Sequence, residues 1–285
     1  MKFNENASLD PSRSSSGGGG GGGRIAVGGV GGLILILIAL FFGIDPTGIV
    51  NPTGDQGASG QDDLKECTTV RDLETKPECR FVAYENSLNT YWAATLEGYR
   101  SPQQFRMFSG QVSTACGTAT SAVGPFYCPA DESIYLDESF FGTLEQQFGA
   151  ASTMAVESYV MAHEYGHHIQ NQIGVLNRVQ QGGTGDGSAA VRSELQSDCF
   201  AGVWFANASS DPNGPIAEIS QQDILEARAA AEAIGDDNIQ ENTSGRVDRE
   251  SWTHGSSEQR EKWLLIGYET GDPNQCDTWS ARDLG

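Results

Sequence analysis

The sequence predicts an α+β domain placed after one N-terminal transmembrane helix, and three observations predict it. Short apolar runs broken by Gly and Pro between Phe105 and Phe141 read as strands. Longer stretches with helical spacing and recognisable caps flank and follow them. Ahead of both, Ile25 to Ile44 runs for twenty residues without a charge, about the length that crosses the hydrocarbon core of a bilayer as a helix.

Taken in order, residues 1–24 are polar and contain an unbroken glycine run from Gly17 to Gly23. Such a composition reads as a disordered cytoplasmic tail. The apolar stretch 25–44 competes with a cleavable signal peptide, but the long polar lead and the lack of a small-x-small site after Phe42 favour an uncleaved anchor. Lys2, Arg13 and Arg24 precede it, whereas Asp45, Asp55, Asp62 and Asp63 follow before Lys65. The positive-inside rule then keeps the N-terminus in the cytoplasm and exports the remainder. Residues 45–63 read as a stalk and residues 64–285 as the folded domain.

Within that domain the first helix is expected from Arg80 to Leu96, with Phe81, Leu88 and Trp92 on one face. Gly124 to Tyr127 and Ser133 to Leu136 are expected as strands. A long helix is expected from Ser152 to Ile173, stopped by Gly174. Further helices follow over Ser188 to Asn207, over Gln221 to Ile234 behind a Ser220 cap, and from Ser256 to Tyr268. The last opens on the capping box formed by Ser256 and Gln259.

The chain carries 38 acidic and 17 basic residues, a formal net charge of −21. No basic face is available to meet phosphates, which argues against a nucleic-acid partner. Six cysteines are present without a C-x-x-C array, so a cysteine zinc site is not indicated. Cys67 and Cys79, and likewise Cys116 and Cys128, have spacings that suit local disulfides, leaving Cys199 with Cys276. Six cysteines still allow fifteen pairings, and six reduced thiols are the alternative that compartment decides.

The chemistry concentrates in His163-Glu164-Tyr165-Gly166-His167 and in Glu194-Leu195-Gln196-Ser197-Asp198. Histidines four apart on a helix lie one above the other, so His163 and His167 can reach one metal ion. Glu164 is turned partly around the helix, beside the metal, where it can take a proton from a water molecule. Glu194 offers a third zinc ligand, and Asp198, one turn on, accepts the free N–H of a ligand histidine. Two solvated carboxylates would be the bland reading of that pair, but Leu195, Cys199, Phe200, Val203 and Trp204 make their surroundings apolar. His168 faces away from His167 and reads as a packing residue. His254, ahead of a helix N-terminus, is a candidate donor to the oxyanion of hydrolysis, with Tyr127, Tyr135 and Tyr165 as alternatives and a surface capping role as the other reading.

With these residues in view, the chain resembles the neutral zinc metallopeptidase family of bacterial membrane-anchored proteins. The resemblance rests on several blocks in order: Ser121 to Cys128, Ile134 to Asp137, His163 to Gln170, Glu194 to Ala201, and Thr253 to Ser257. The E-x-x-S-D element is also similar to that of gluzincins, in which the glutamate binds zinc and the aspartate supports a ligand. The resemblance implies a zincin-like fold: a small mixed sheet over an active-site helix and a glutamate helix. It also implies an edge strand, within Gly124 to Asp137, that pairs with extended peptide. The function so implied is a membrane-anchored peptidase that holds one Zn2+ and acts on peptide or protein substrates. A non-catalytic, zinc-stabilised module that binds exported or cell-envelope proteins is the alternative. An intramembrane protease is excluded, because the metal motif lies far from the apolar stretch.

Overall fold

The computed structural model describes residues 1–17, 63–137, 139–179 and 183–285. The apolar stretch 25–44 and nearly all of the stalk lie outside the described residues, and among those described no helix is long and apolar enough to cross a membrane.

The centre of the domain is a four-stranded mixed sheet in the order β2-β3-β7-β6. Strands β2 (Ser14–Ser16), β3 (Phe105–Phe108) and β7 (Ser133–Asp137) run parallel, and β6 (Phe126–Cys128) pairs antiparallel with β7 at the far edge. A hairpin of β4 (Gln111–Thr114) and β5 (Gly117–Thr120) packs on the sheet through a small core of Phe108, Val112, Ala119, Val123, Phe126 and Tyr135. Cys116, in the hairpin turn, is bonded to Cys128 at the end of β6.

The helices carry the rest. In α1 (Cys79–Thr95), Phe81, Leu88 and Trp92 are buried as their spacing predicts. Helix α2 (Ser139–Phe148) leads to α3 (Met154–Gln172), which begins where the Thr153 side chain accepts from the Val156 N–H. Every residue of α3 from Ala155 to Gln170 is buried, so this helix runs through the middle of the molecule rather than along its surface. After the short α4 (Leu176–Val179) comes α5 (Ala189–Asn207), capped by Ser188. Then follow β8 (Ile216–Glu218), α6 (Gln221–Ala233), α7 (Asp236–Ser244) and α8 (Ser257–Thr270). The Ser220 and Ser256 capping boxes both form, and Gly271 closes α8 in the left-handed conformation at φ 60°.

Two close helix crossings fix the geometry beneath the sheet. A Cβ on Gly166 of α3 would stand 2.3 Å from Ser197 Oγ and 2.9 Å from Ser197 Cα of α5. Glycines make the α5–α8 crossing in the same way: a Cβ on Gly202 would lie 2.0 Å from the Leu264 carbonyl, and one on Gly267 1.9 Å from the Cys199 carbonyl. Backbones can approach this closely only without a side chain between them. All three disulfides have the pairing that spacing suggested, with Cys67–Cys79 fastening the first residue of α1 to the segment before it and Cys199–Cys276 tying α5 to the C-terminal segment.

One expectation is corrected. Residues 1–17, read as part of a disordered tail, belong to the fold: β1 (Lys2–Phe3) pairs with β8, and β2 extends the central sheet. Ala7 and Leu9 enter the main core. The composition is too polar to form a core alone, but an arm of this kind needs only backbone pairing and two buried side chains on a surface already built.

Candidate metal centre

Helices α3 and α5 cross with their polar faces together, and the crossing assembles the predicted cluster. One ligand atom from each of His163, His167 and Glu194 lies within 4.8 Å of the others. His163 Nε2 is 3.1 Å from Glu194 Oε2, and His167 Nε2 is 3.5 Å from Glu194 Oε1. The two imidazoles stand at 89° to each other with centroids 4.8 Å apart.

Each ring is held from behind. His163 Nδ1 donates to Asp198 Oδ1 at 2.8 Å, and His167 Nδ1 meets Gln170 Oε1 at 3.0 Å. With both Nδ1 atoms engaged, both Nε2 atoms point toward Glu194, where they can serve as metal ligands once His163 gives up its proton. Two nitrogens and one carboxylate from protein, with no fourth donor in the cluster among the described residues, match the ligand set of a catalytic zinc site. His163, His167 and Glu194 therefore fit the ion that the sequence implies.

Asp198 is fully buried and accepts from four donors. Besides His163 these are the Tyr159 hydroxyl at 2.6 Å and the Arg260 guanidinium at 2.9 and 3.1 Å. Burial alone would disfavour the carboxylate, but the Arg260 charge, with His163, holds its pKa below the usual value. Burial also opposes ionisation of Glu194, and the charges of His167, His254 and His163 overcome it, leaving that group well below the ordinary range. Burial lowers the His163 pKa as well, yet Asp198 and Glu194 together push it to about 10. Glu164 goes the other way: it is 7% exposed, and burial outweighs the two histidines and raises its pKa. A carboxyl with a raised pKa beside two histidines that could hold a metal is suited to carrying a proton.

His168 is turned out of the cluster, between the Tyr127 hydroxyl at 3.0 Å and the Arg100 carbonyl at 2.7 Å. The three tyrosines weighed as oxyanion donors have their hydroxyls elsewhere: Tyr127 on His168 and Asn171, Tyr135 on Asp131, and Tyr165 on Glu85. His254 is placed differently. It is buried, and near enough to lower the Glu194 pKa. Its loop is fastened by Asp236, whose Oδ2 accepts the backbone N–H groups of Thr253, His254 and Gly255 at 2.8, 2.7 and 2.9 Å.

A profile of the family described as "Putative neutral zinc metallopeptidase" matches residues 2–279. The chain belongs to that family. Relatives at full length are the Mycobacterium tuberculosis (strain ATCC 25618 / H37Rv) "Uncharacterized protein Rv2575" and the Mycobacterium bovis "Uncharacterized protein Mb2605". Each is 50% identical over 295 residues, covering 100% of both chains. The Escherichia coli K12 "Uncharacterized protein YpfJ" is 38% identical over 260 residues, 88% of this chain and 87% of that one. No solved structure matches.

Membership in this zinc metallopeptidase family agrees with the donor set, and several supporting residues escaped the sequence reading. Arg260, Tyr159, Gln170 and Asp236 are separated from the groups they hold by up to 62 positions. Only Gln170 left a local trace, three residues after His167 on the same helix.

Proposed function

We propose that this chain is a zinc-dependent peptidase that hydrolyses peptide bonds with Glu164 as proton carrier. The observation that supports the reading is the convergence of His163 Nε2, His167 Nε2 and a Glu194 oxygen, with Glu164 buried beside them. When bound, zinc supplies a Lewis acid that polarises the peptide carbonyl and lowers the pKa of a coordinated water to about 7. Glu164 takes the proton of the attacking water and returns it to the leaving amine; burial raises its pKa and so favours holding that proton between the two transfers. His254, held by Asp236 and Thr253, donates to the oxygen on which charge develops.

Extended peptide would add to the free edge of β6. Among the described residues that strand is terminal in the sheet, lies against α3, and brings the Tyr127 backbone close to Glu164. The domain would work outside the cytoplasmic membrane, held there by the apolar stretch 25–44; three disulfides favour an oxidising compartment. The test is Glu164→Gln, which is expected to abolish hydrolysis of a mixed peptide library and leave zinc content unchanged. Activity that survived this substitution would overturn the assignment of the proton carrier.

A further inference from the structure

The segments that flank residues 18–62 are not free ends but are bonded to each other and to the domain. Leu9 N donates to Thr68 O at 2.8 Å and Val70 N to Ala7 O at 3.3 Å, and Ser8 bridges Thr69. Lys65 Nζ reaches the carbonyls of Pro11 and Ser12, each at 3.0 Å. Beyond this joint the arm continues inward. Strand β2 pairs with β3 from Ser14 against Phe105 to Ser16 against Met107, and Phe105 N donates to Arg13 O at 2.8 Å. The Arg13 guanidinium lies 3.1 Å from Glu85, a carboxylate only 1% exposed. That same carboxylate accepts from Tyr165, inside the metal motif on α3.

These contacts carry a topological consequence. One crossing of a bilayer between Gly17 and Asp63 would place the arm and the domain on opposite sides. It would strip β3 of one of its two neighbours, open the joint with residues 65–70, and leave Glu85 buried beneath the metal helix without its cation. An unpaired buried charge is among the most costly defects a fold can carry. We infer that residues 1–17 and the domain occupy the same compartment, so that the intervening chain, with its apolar stretch Ile25 to Ile44, makes no net crossing of the membrane. Attachment to the bilayer is then from one side only, and the N-terminus is not cytoplasmic if the domain is exported. The inference does not depend on the peptidase reading.

Thiol labelling of the full chain in intact bacterial cells tests it, because all six native cysteines are in disulfides. Glu5→Cys on the arm and Glu241→Cys on α7 introduce single exposed thiols. Each is challenged with a membrane-impermeant maleimide and normalised to labelling after permeabilisation. The two variants are expected to behave alike. Both labelled from outside supports the inference and an exported domain; both protected supports the inference and refutes export. Labelling of one with protection of the other would overturn it. A third variant, Ser14→Cys, reports docking itself, since Ser14 is fully buried in β2. It should react at least roughly tenfold more slowly than Glu5→Cys in the same preparation, as groups that need local opening do. Equal rates would also overturn the inference.

Discussion

Replacing Arg260 by Gln removes two of the four donors that meet Asp198 and the only positive charge among them apart from His163. Asp198 is 0% exposed and Arg260 2%, so water cannot take the place of the lost guanidinium. Breaking a buried pair by removing one member typically costs about 3–5 kcal/mol. For a domain of this size that corresponds to a fall in Tm of roughly 6–20 °C. The effect should pass to the metal, because Asp198 orients His163. Loss of such a supporting group commonly weakens metal binding about 10–100-fold. Chelator competition gives the zinc affinity and calorimetry the Tm. The double variant Asp198→Asn with Arg260→Gln should recover part of the stability, since no buried charge is then left alone, but not the zinc affinity. Zinc affinity within a factor of two of wild type in Arg260→Gln would refute the chain from Arg260 through Asp198 to His163.

Other outcomes follow from the same geometry. Gly166→Ala should drive α3 and α5 apart at Ser197, costing about 1–3 kcal/mol by overpacking, and a denaturation midpoint checks it. Because the His163 pKa is raised from 6.5 to about 10, the metal-free fold gains stability from protonated His163. That gain is complete below pH 6.5 and is lost as pH rises toward 10. Zinc must displace this proton, so its affinity should rise with pH over the same window, and titration calorimetry in buffers of different ionisation enthalpy should detect the release. Replacing Cys199 and Cys276 by Ser opens a loop of 77 residues, with an expected loss of about 4 kcal/mol on the chain-entropy account, read from urea midpoints.

Much of this site was legible because helices announce themselves locally. Ser220 and Ser256 stand where a cap is needed and make the expected hydrogen bonds; Thr153 and Ser188 cap α3 and α5 in the same way, though the sequence reading did not single them out. The four-residue spacing of His163 and His167, and of Glu194 and Asp198, put both pairs on single faces before any fold was known. What escaped has no local signature. β1 and β2 are two and three residues long, too short for any alternation, and they exist only because β8 and β3 present edges far along the chain. Helices α2 and α7 have no clear signal: α2 overlaps the strand-like stretch only as far as Phe141 and otherwise falls in the unassigned residues before Ser152, and α7 is polar from Asp236 to Ser244, with only Asp236 and Ile239 buried. Arg260 reads as one more charged helix residue until α8 is seen pressed on α5 through Gly202 and Gly267. The small mixed sheet came from family resemblance rather than from strand patterning.

The central claim is a three-ligand zinc site that Glu164 turns to hydrolysis. It is tested most directly by measuring zinc per chain and cleavage of a mixed peptide library side by side, for wild type and Glu164→Gln. One zinc in each, with cleavage in the wild type alone, is the predicted result. One zinc in each with no cleavage by the wild type would contradict it and leave the metal a structural role.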